Sequence, residues 1–128
     1  KLFLSTVEKA LACPTTAVLF VPAPCISGWK FEEGETMELA LLGARCGAFP
    51  AFVWEKGKGG TVKDCPREPE KRIGIETFLG KQRRFHHLVT KDEAGGYAVR
   101  PGREGDFAQL SEWVQHNVDR LYALGELR

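Results

Sequence analysis

Apolar residues along the chain switch period several times, and each switch marks an element. Phe3, Val7, Ala10 and Leu11 fall at i, i+4, i+7 and i+8, which predicts a helix over residues 2–12. Pro14 breaks that pattern. "AVLFV", Ala17 to Val21, then runs apolar without alternation and is rich in β-formers. This predicts a short strand buried on both faces, as in a parallel sheet covered by helices. Pro22 and Pro24 end it, because neither can donate to a ladder. "ETMELALLGARCG" returns to helical spacing, with Thr36 as expected N-cap and Gly47 as the residue that stops the helix.

After Pro50 the pattern shortens. "AFVWE", "KGKGG" and "TVK" predict a hairpin with the glycines in its turn. "DCPREPEKR" is charged and carries two prolines, so it reads as an extended arm with no packed element. A short helix is expected in "IETFLGKQRRFHHL", ending near Gly80, and "DEAGGYAVRPGREG" reads as loop. Phe107, Leu110, Val114, Val118, Leu121 and Leu124 form a helical stripe, with Asp106 and Gln109 spaced like a capping box.

These elements predict an α/β fold in three parts: a last α/β unit over residues 1–50, a hairpin with an extended arm over 51–103, and a terminal helix over 104–128. One buried strand cannot enclose a sheet core. Either other chains or upstream sequence must supply its neighbours.

Composition narrows the partners. The chain has 128 residues, 27% of them charged, and a formal net charge of +1, which gives no electrostatic basis for nucleic acid or an anionic membrane. The longest apolar run, Ala17 to Ala23, is too short to span a bilayer. No secretory signal pattern is visible, so a reducing cytoplasm is the expected compartment. The N-terminus has no Met, which places the expected start inside a longer gene product.

Chemistry centres on the thiols. Cys13, Cys25, Cys46 and Cys65 have no CxxC spacing, so no zinc site follows from this chain alone. Cys25 stands at the end of the expected strand, between Pro24 and a Ser27-Gly28-Trp29 turn. Two readings stay open: a small buried hydrophobe, the commonest fate of a free Cys, or a ligand to a metal or cluster at the carboxyl end of a strand. Prolines would fix such a thiolate, and nearby N–H groups could hydrogen-bond to it. Neighbours His86 and His87 point different ways on a helix and cannot share a metal; one is expected in solvent and one on a backbone group. His116 is expected exposed, and the Lys71, Arg72, Lys81, Arg83 and Arg84 cluster reads as a solvated face. Trp54 and Trp113 read as core or interface anchors.

Three stretches in register resemble a known family. "APCISGWKF" is similar to the Ala-Pro-Cys-Pro-Thr-Gly-Trp stretch of the thiamine-diphosphate-binding β subunit of pyruvate:ferredoxin and related 2-oxoacid:acceptor oxidoreductases. "ELALLGARCGAFPAFVWEKG" resembles the segment that follows it, and "IETFLGKQRRFHHL" resembles the later Tyr-Leu-x-x-Gln-Gly-Arg-Phe-x-His-Leu pattern. The match implies the C-terminal portion of a thiamine-diphosphate-binding fold, a parallel sheet flanked by helices. It implies that Cys25 is the fourth ligand of a [4Fe–4S] cluster. The other three ligands, and the Gly-Asp-Gly…Asn signature for Mg²⁺ and thiamine diphosphate, lie upstream in the family. The implied partners are the other subunits, ferredoxin or another acceptor, coenzyme A and a 2-oxoacid such as pyruvate. Ile26 and Ser27 replace the usual Pro-Thr, and Arg83 stands where the family has Gly. Cys13, Cys46 and Cys65 match no ligand position and are expected to be structural. Two alternatives remain: a non-catalytic assembly module, and an unrelated α/β binding domain with free thiols.

Overall fold

The computed structural model describes residues 2–127. In chain order it has α1 (Leu2–Leu11), α2 (Thr36–Cys46), β1 (Ala51–Glu55), β2 (Gly59–Lys63), α3 (Ile75–Gly80), β3 (Val89–Lys91), β4 (Tyr97–Val99) and α4 (Glu104–Glu126). The strands form two separate antiparallel hairpins, Ala51 opposite Lys63 in the first and Val89 opposite Val99 in the second. The architecture is therefore mixed helix and small antiparallel sheet, compatible with the α/β class, and no parallel pair occurs among the described residues.

The largest difference from expectation is Ala17–Val21. It joins neither sheet, and all five residues are exposed, Phe20 at 90%. Among the described residues no strand pairs with this segment, and nothing buries the residues expected to be covered on both faces. The same lack leaves α1 half covered: Val7 and Ala10 are partly buried, whereas Phe3 and Leu11 face outward. A Lys9–Glu55 ion pair at 2.7 Å ties α1 to β1.

The core lies elsewhere. Phe31, Leu39, Cys46, Phe78, Leu79, Leu88 and Val89 are buried together, and Trp29, Leu42, Phe85, Phe107 and Leu110 pack around them. Helix α2 ends as its sequence requires. Gly47 takes φ +94°, and a Cβ there would lie 2.8 Å from the Arg72 guanidinium and 2.9 Å from Val118. Gly80 is needed for packing: a Cβ on it would overlap the Tyr97 ring at 2.0 Å, so β4 rests directly on the end of α3.

Four local expectations need correcting. Thr36 is the first residue of α2 and not its cap; its hydroxyl donates to Glu33 O at 3.1 Å, because a 3₁₀ turn at Glu33–Glu35 leads into the helix. Asp106 lies inside α4, which starts two residues earlier, and it pairs with Arg103 at 3.0 Å. The stretch expected as loop, residues 92–105, contains β4, which pairs back on β3 just before it; the turn between them is closed by Gly95 at φ +83° and by the Asp92 carboxylate accepting from Gly96 N at 2.7 Å. The charged arm is packed. Its backbone and side chains find partners along α4: Gln115 donates to Arg67 O, Tyr122 OH donates to Cys65 O at 3.0 Å, and Arg67 pairs with Asp119 at 2.9 Å. Such polar complementarity leaves no trace in hydrophobic period.

The stripe of α4 holds over Val114 and Val118, which are buried, and frays at Leu124, which is 43% exposed. Trp113 and Trp54 are both largely exposed; the Trp54 indole donates to Leu127 O at 3.2 Å.

Burial separates two leucines sharply. Leu39 is 0% exposed and Leu11 82%. Leu39→Ala should destabilise the chain by ~2–5 kcal/mol in urea unfolding, and Leu11→Ala should stay within ~0.5 kcal/mol of the parent, as surface changes do. Equal effects would contradict this placement of the core.

Candidate functional site

Cys25 sits at the head of a π-turn, Ile26–Lys30, and its thiol is exposed. Among the described residues Cys25 is therefore not a buried hydrophobe. Pro22 and Pro24 precede it in a segment with neither helix nor strand, and Cys25 itself is extended at φ −103° and ψ 111°. The chain then wraps back. Trp29 N donates to Cys25 O at 2.8 Å, and Gly28 N donates to Cys25 Sγ at 3.3 Å. A Cβ on residue 28 would stand 3.4 Å from that sulfur, in ordinary contact with it. Lys30 leaves the turn at φ +56°, an uncommon conformation for a side-chain-bearing residue, and such outliers concentrate at functional sites.

What holds the turn is Trp29. Its ring stacks on Phe49 at 5.8 Å and meets Phe78 edge-on at 6.0 Å. Phe49 follows α2 and Phe78 lies on α3, so the loop is bound to both helices through one indole. On the outer side the Arg84 guanidinium lies over Trp29 at 4.7 Å and over Phe85 at 4.7 Å. Sequence reading placed Arg84 on a solvated face, and the residue is exposed; partial burial of its guanidinium lowers its pKa. Gln82, which that reading passed over, is fully buried. It donates to Phe78 O at 2.9 Å and accepts from Arg84 Nε at 3.0 Å. Arg83 pairs with Glu32, next to the turn, which gives the departure from glycine at that position a local partner.

The other thiols lie apart in character. Cys46 and Cys65 are buried, and burial raises the Cys46 pKa to about 11 and shifts Cys65 upward as well. Cys13 is exposed and its pKa is lowered by hydrogen bonding to Thr15. His86 and His87 both use a ring nitrogen on a backbone carbonyl, of Gly80 at 3.1 Å and Arg84 at 3.0 Å. Each therefore donates, where only one was expected to. His116 is exposed, as expected.

Among the described residues no three His, Cys, Asp or Glu side chains gather into a metal-binding group. Cys25 fits a cluster as a single ligand: an accessible thiol, its sulfur already accepting one N–H, on a turn anchored by aromatic packing. Completion of a site around it would need ligands from outside this chain.

Curated relatives place this turn in context. Over 98% of its length the chain is 31% identical to ketoisovalerate oxidoreductase subunit VorB of Pyrococcus abyssi and 29% identical to pyruvate synthase subunit PorB of Thermotoga maritima. Over 70% of its length it is 30% identical to the PorB subunit of Methanocaldococcus jannaschii. The chain belongs to this PorB/VorB family. It covers 35% of the length of the first two relatives and 29% of the third, so it corresponds to about a third of such a subunit. No family model and no solved structure matches it. No helix among the described residues is long and apolar enough to cross a membrane.

Exposure separates the thiols of this PorB/VorB segment into two pairs. With a disulfide reagent near neutral pH, Cys13 and Cys25 should react quickly, and Cys46 and Cys65 only at the rate of unfolding. Peptide mapping of the labelled chain identifies which two react. Early labelling of Cys46 would contradict the packing described here.

Proposed function

We propose that this chain is the C-terminal part of the thiamine-diphosphate-binding β subunit of a 2-oxoacid:acceptor oxidoreductase, and that Cys25 supplies one thiolate to its [4Fe–4S] cluster. The observation that carries this reading is the exposed Cys25 Sγ on its anchored turn, accepting an N–H from Gly28, within the Ala-Pro-Cys stretch. A cluster, when bound, carries electrons one at a time away from thiamine chemistry. The role of this chain's own residues is positional. Pro24 and the Trp29 packing fix the sulfur, and the Gly28 amide stabilises its negative charge. Thiamine diphosphate and Mg²⁺ are held mainly by the remaining two thirds of the subunit. The reaction is oxidative decarboxylation of a 2-oxoacid such as pyruvate to an acyl-CoA, in a cytoplasmic complex that passes electrons to ferredoxin or another acceptor.

The same reading accounts for Ala17–Val21. In the whole subunit this segment is an inner strand of a parallel sheet, covered by helices on both sides, and the three parts 1–50, 51–103 and 104–128 attach to that sheet as its last α/β unit, its arm and its terminal helix. Phe20 supports it: burying such a side chain is worth roughly 1.5–3 kcal/mol, and here it is left in water.

Two experiments test the proposal. In the assembled complex, Cys25→Ala should lower iron content and remove the corresponding EPR signal of the reduced protein, with thiamine diphosphate still bound. Cys13→Ala, Cys46→Ala and Cys65→Ala should keep the full iron complement. Full iron in Cys25→Ala would favour the reading as a non-catalytic assembly module. Separately, Phe20→Asp should leave the urea midpoint of the isolated 128-residue chain unchanged and abolish folding of the whole subunit. A subunit that folds normally with Asp at position 20 would rule out an inner strand there.

A further inference from the structure

Arg84 has more contacts than a surface cation needs. Its guanidinium covers two aromatic faces, Trp29 and Phe85, each at 4.7 Å. Its Nε donates to Gln82 Oε1 at 3.0 Å, and Gln82 is fully buried and anchored on Phe78 O at 2.9 Å. A continuous strut results: the α3 backbone holds Gln82, Gln82 orients Arg84, Arg84 lies over Trp29, and Trp29 closes the turn that presents Cys25 by donating its backbone N–H to Cys25 O at 2.8 Å. A planar guanidinium suits this task, since it can stack and hydrogen-bond at once, which an ammonium cannot. Its neighbours differ in one respect. Lys81 pairs with Glu35 and Glu38, and Arg83 with Glu32, but no carboxylate pairs with Arg84 among the described residues. The charge beside the turn is therefore not neutralised locally.

We infer that Arg84 is a positioning residue for the Cys25 turn whose unneutralised charge also raises the reduction potential of the cluster that Cys25 ligates. The inference rests on the cluster reading above. The sign follows from charge: adding an electron makes the cluster more negative, so a nearby fixed cation favours the reduced form. Removing the cation lowers the potential. Losing only the planar stack, with the charge kept, loosens the turn and changes the potential less.

The experiment uses the whole complex with Arg84→Gln, Arg84→Lys and Cys25→Ala, followed by iron content, the EPR spectrum of the reduced protein and the midpoint potential from a redox titration. Arg84→Gln is expected to retain iron, shift the midpoint to more negative values and alter the EPR g-values. Arg84→Lys should restore much of the potential and less of the spectrum. If Arg84→Gln fails to assemble, Arg84→Lys carries the test alone: an altered spectrum with a near-parent potential supports the inference, and a parent-like spectrum overturns it. Arg84→Gln with parent iron, spectrum and potential overturns it too, while iron loss in Cys25→Ala leaves the ligand reading standing. Retention of the cluster in Cys25→Ala overturns the ligand reading itself, whatever Arg84→Gln does.

Discussion

The packing of the Trp29 indole against Phe49 and Phe78 is the contact on which the rest of the arrangement depends. An exposed thiol on a free loop would sample many positions, and a ligand must be held in one. Trp29 removes that freedom by joining the turn to the end of α2 and to α3 at once. Aromatic pairs of this kind add about 0.5–1.5 kcal/mol beyond the area they bury. They add to the burial of the indole in favouring the ordered five-residue turn, whose own backbone includes Lys30 at positive φ. The buried Gln82 and the stacked Arg84 close the same cluster from outside.

The molecule is unequally finished. One side, built from the Cys25 turn, α2, α3, β3–β4 and α4, has a closed core. The other, built from α1 and Ala17–Val21, shows water a series of large apolar side chains, Phe3, Leu4, Leu11 and Phe20 among them. Scattered apolar residues on a surface are ordinary, but a contiguous stretch of them is a sign of a missing partner. A chain that covers a third of its relatives' length has an obvious source for that cover, and the proposed inner strand follows from it.

How legible each part was depended on the kind of information it used. Hydrophobic period located α1, α2, the first hairpin and α4, and Gly47 marked the end of α2 because only a glycine takes φ +94° there without strain. The thiol at position 25 was legible from its flanking prolines and from the family resemblance. Period could not show that Arg84 is stacked on Trp29, since two residues 55 positions apart meet only through the fold. The arm was misread for the same reason: Gln115, Asp119 and Tyr122 receive it, and their spacing on α4 looks like an ordinary polar face. The second hairpin escaped notice because its strands are three residues each, too short for alternation to register. For Ala17–Val21 the pattern predicted a burial that the described residues do not provide, and the proposed inner strand is the reading that would supply it.

The central claim is that Cys25, and no other thiol of this chain, bonds to iron in the assembled enzyme. Anomalous scattering at the iron edge from crystals of the whole complex tests it most directly. The account requires an iron peak at bonding distance from Cys25 Sγ, with Trp29 still packed on Phe49 and Phe78, and no iron at Cys13, Cys46 or Cys65. An iron peak bonded to one of those three, or a Cys25 sulfur with no iron beside it in a complex whose clusters are fully loaded, would contradict it.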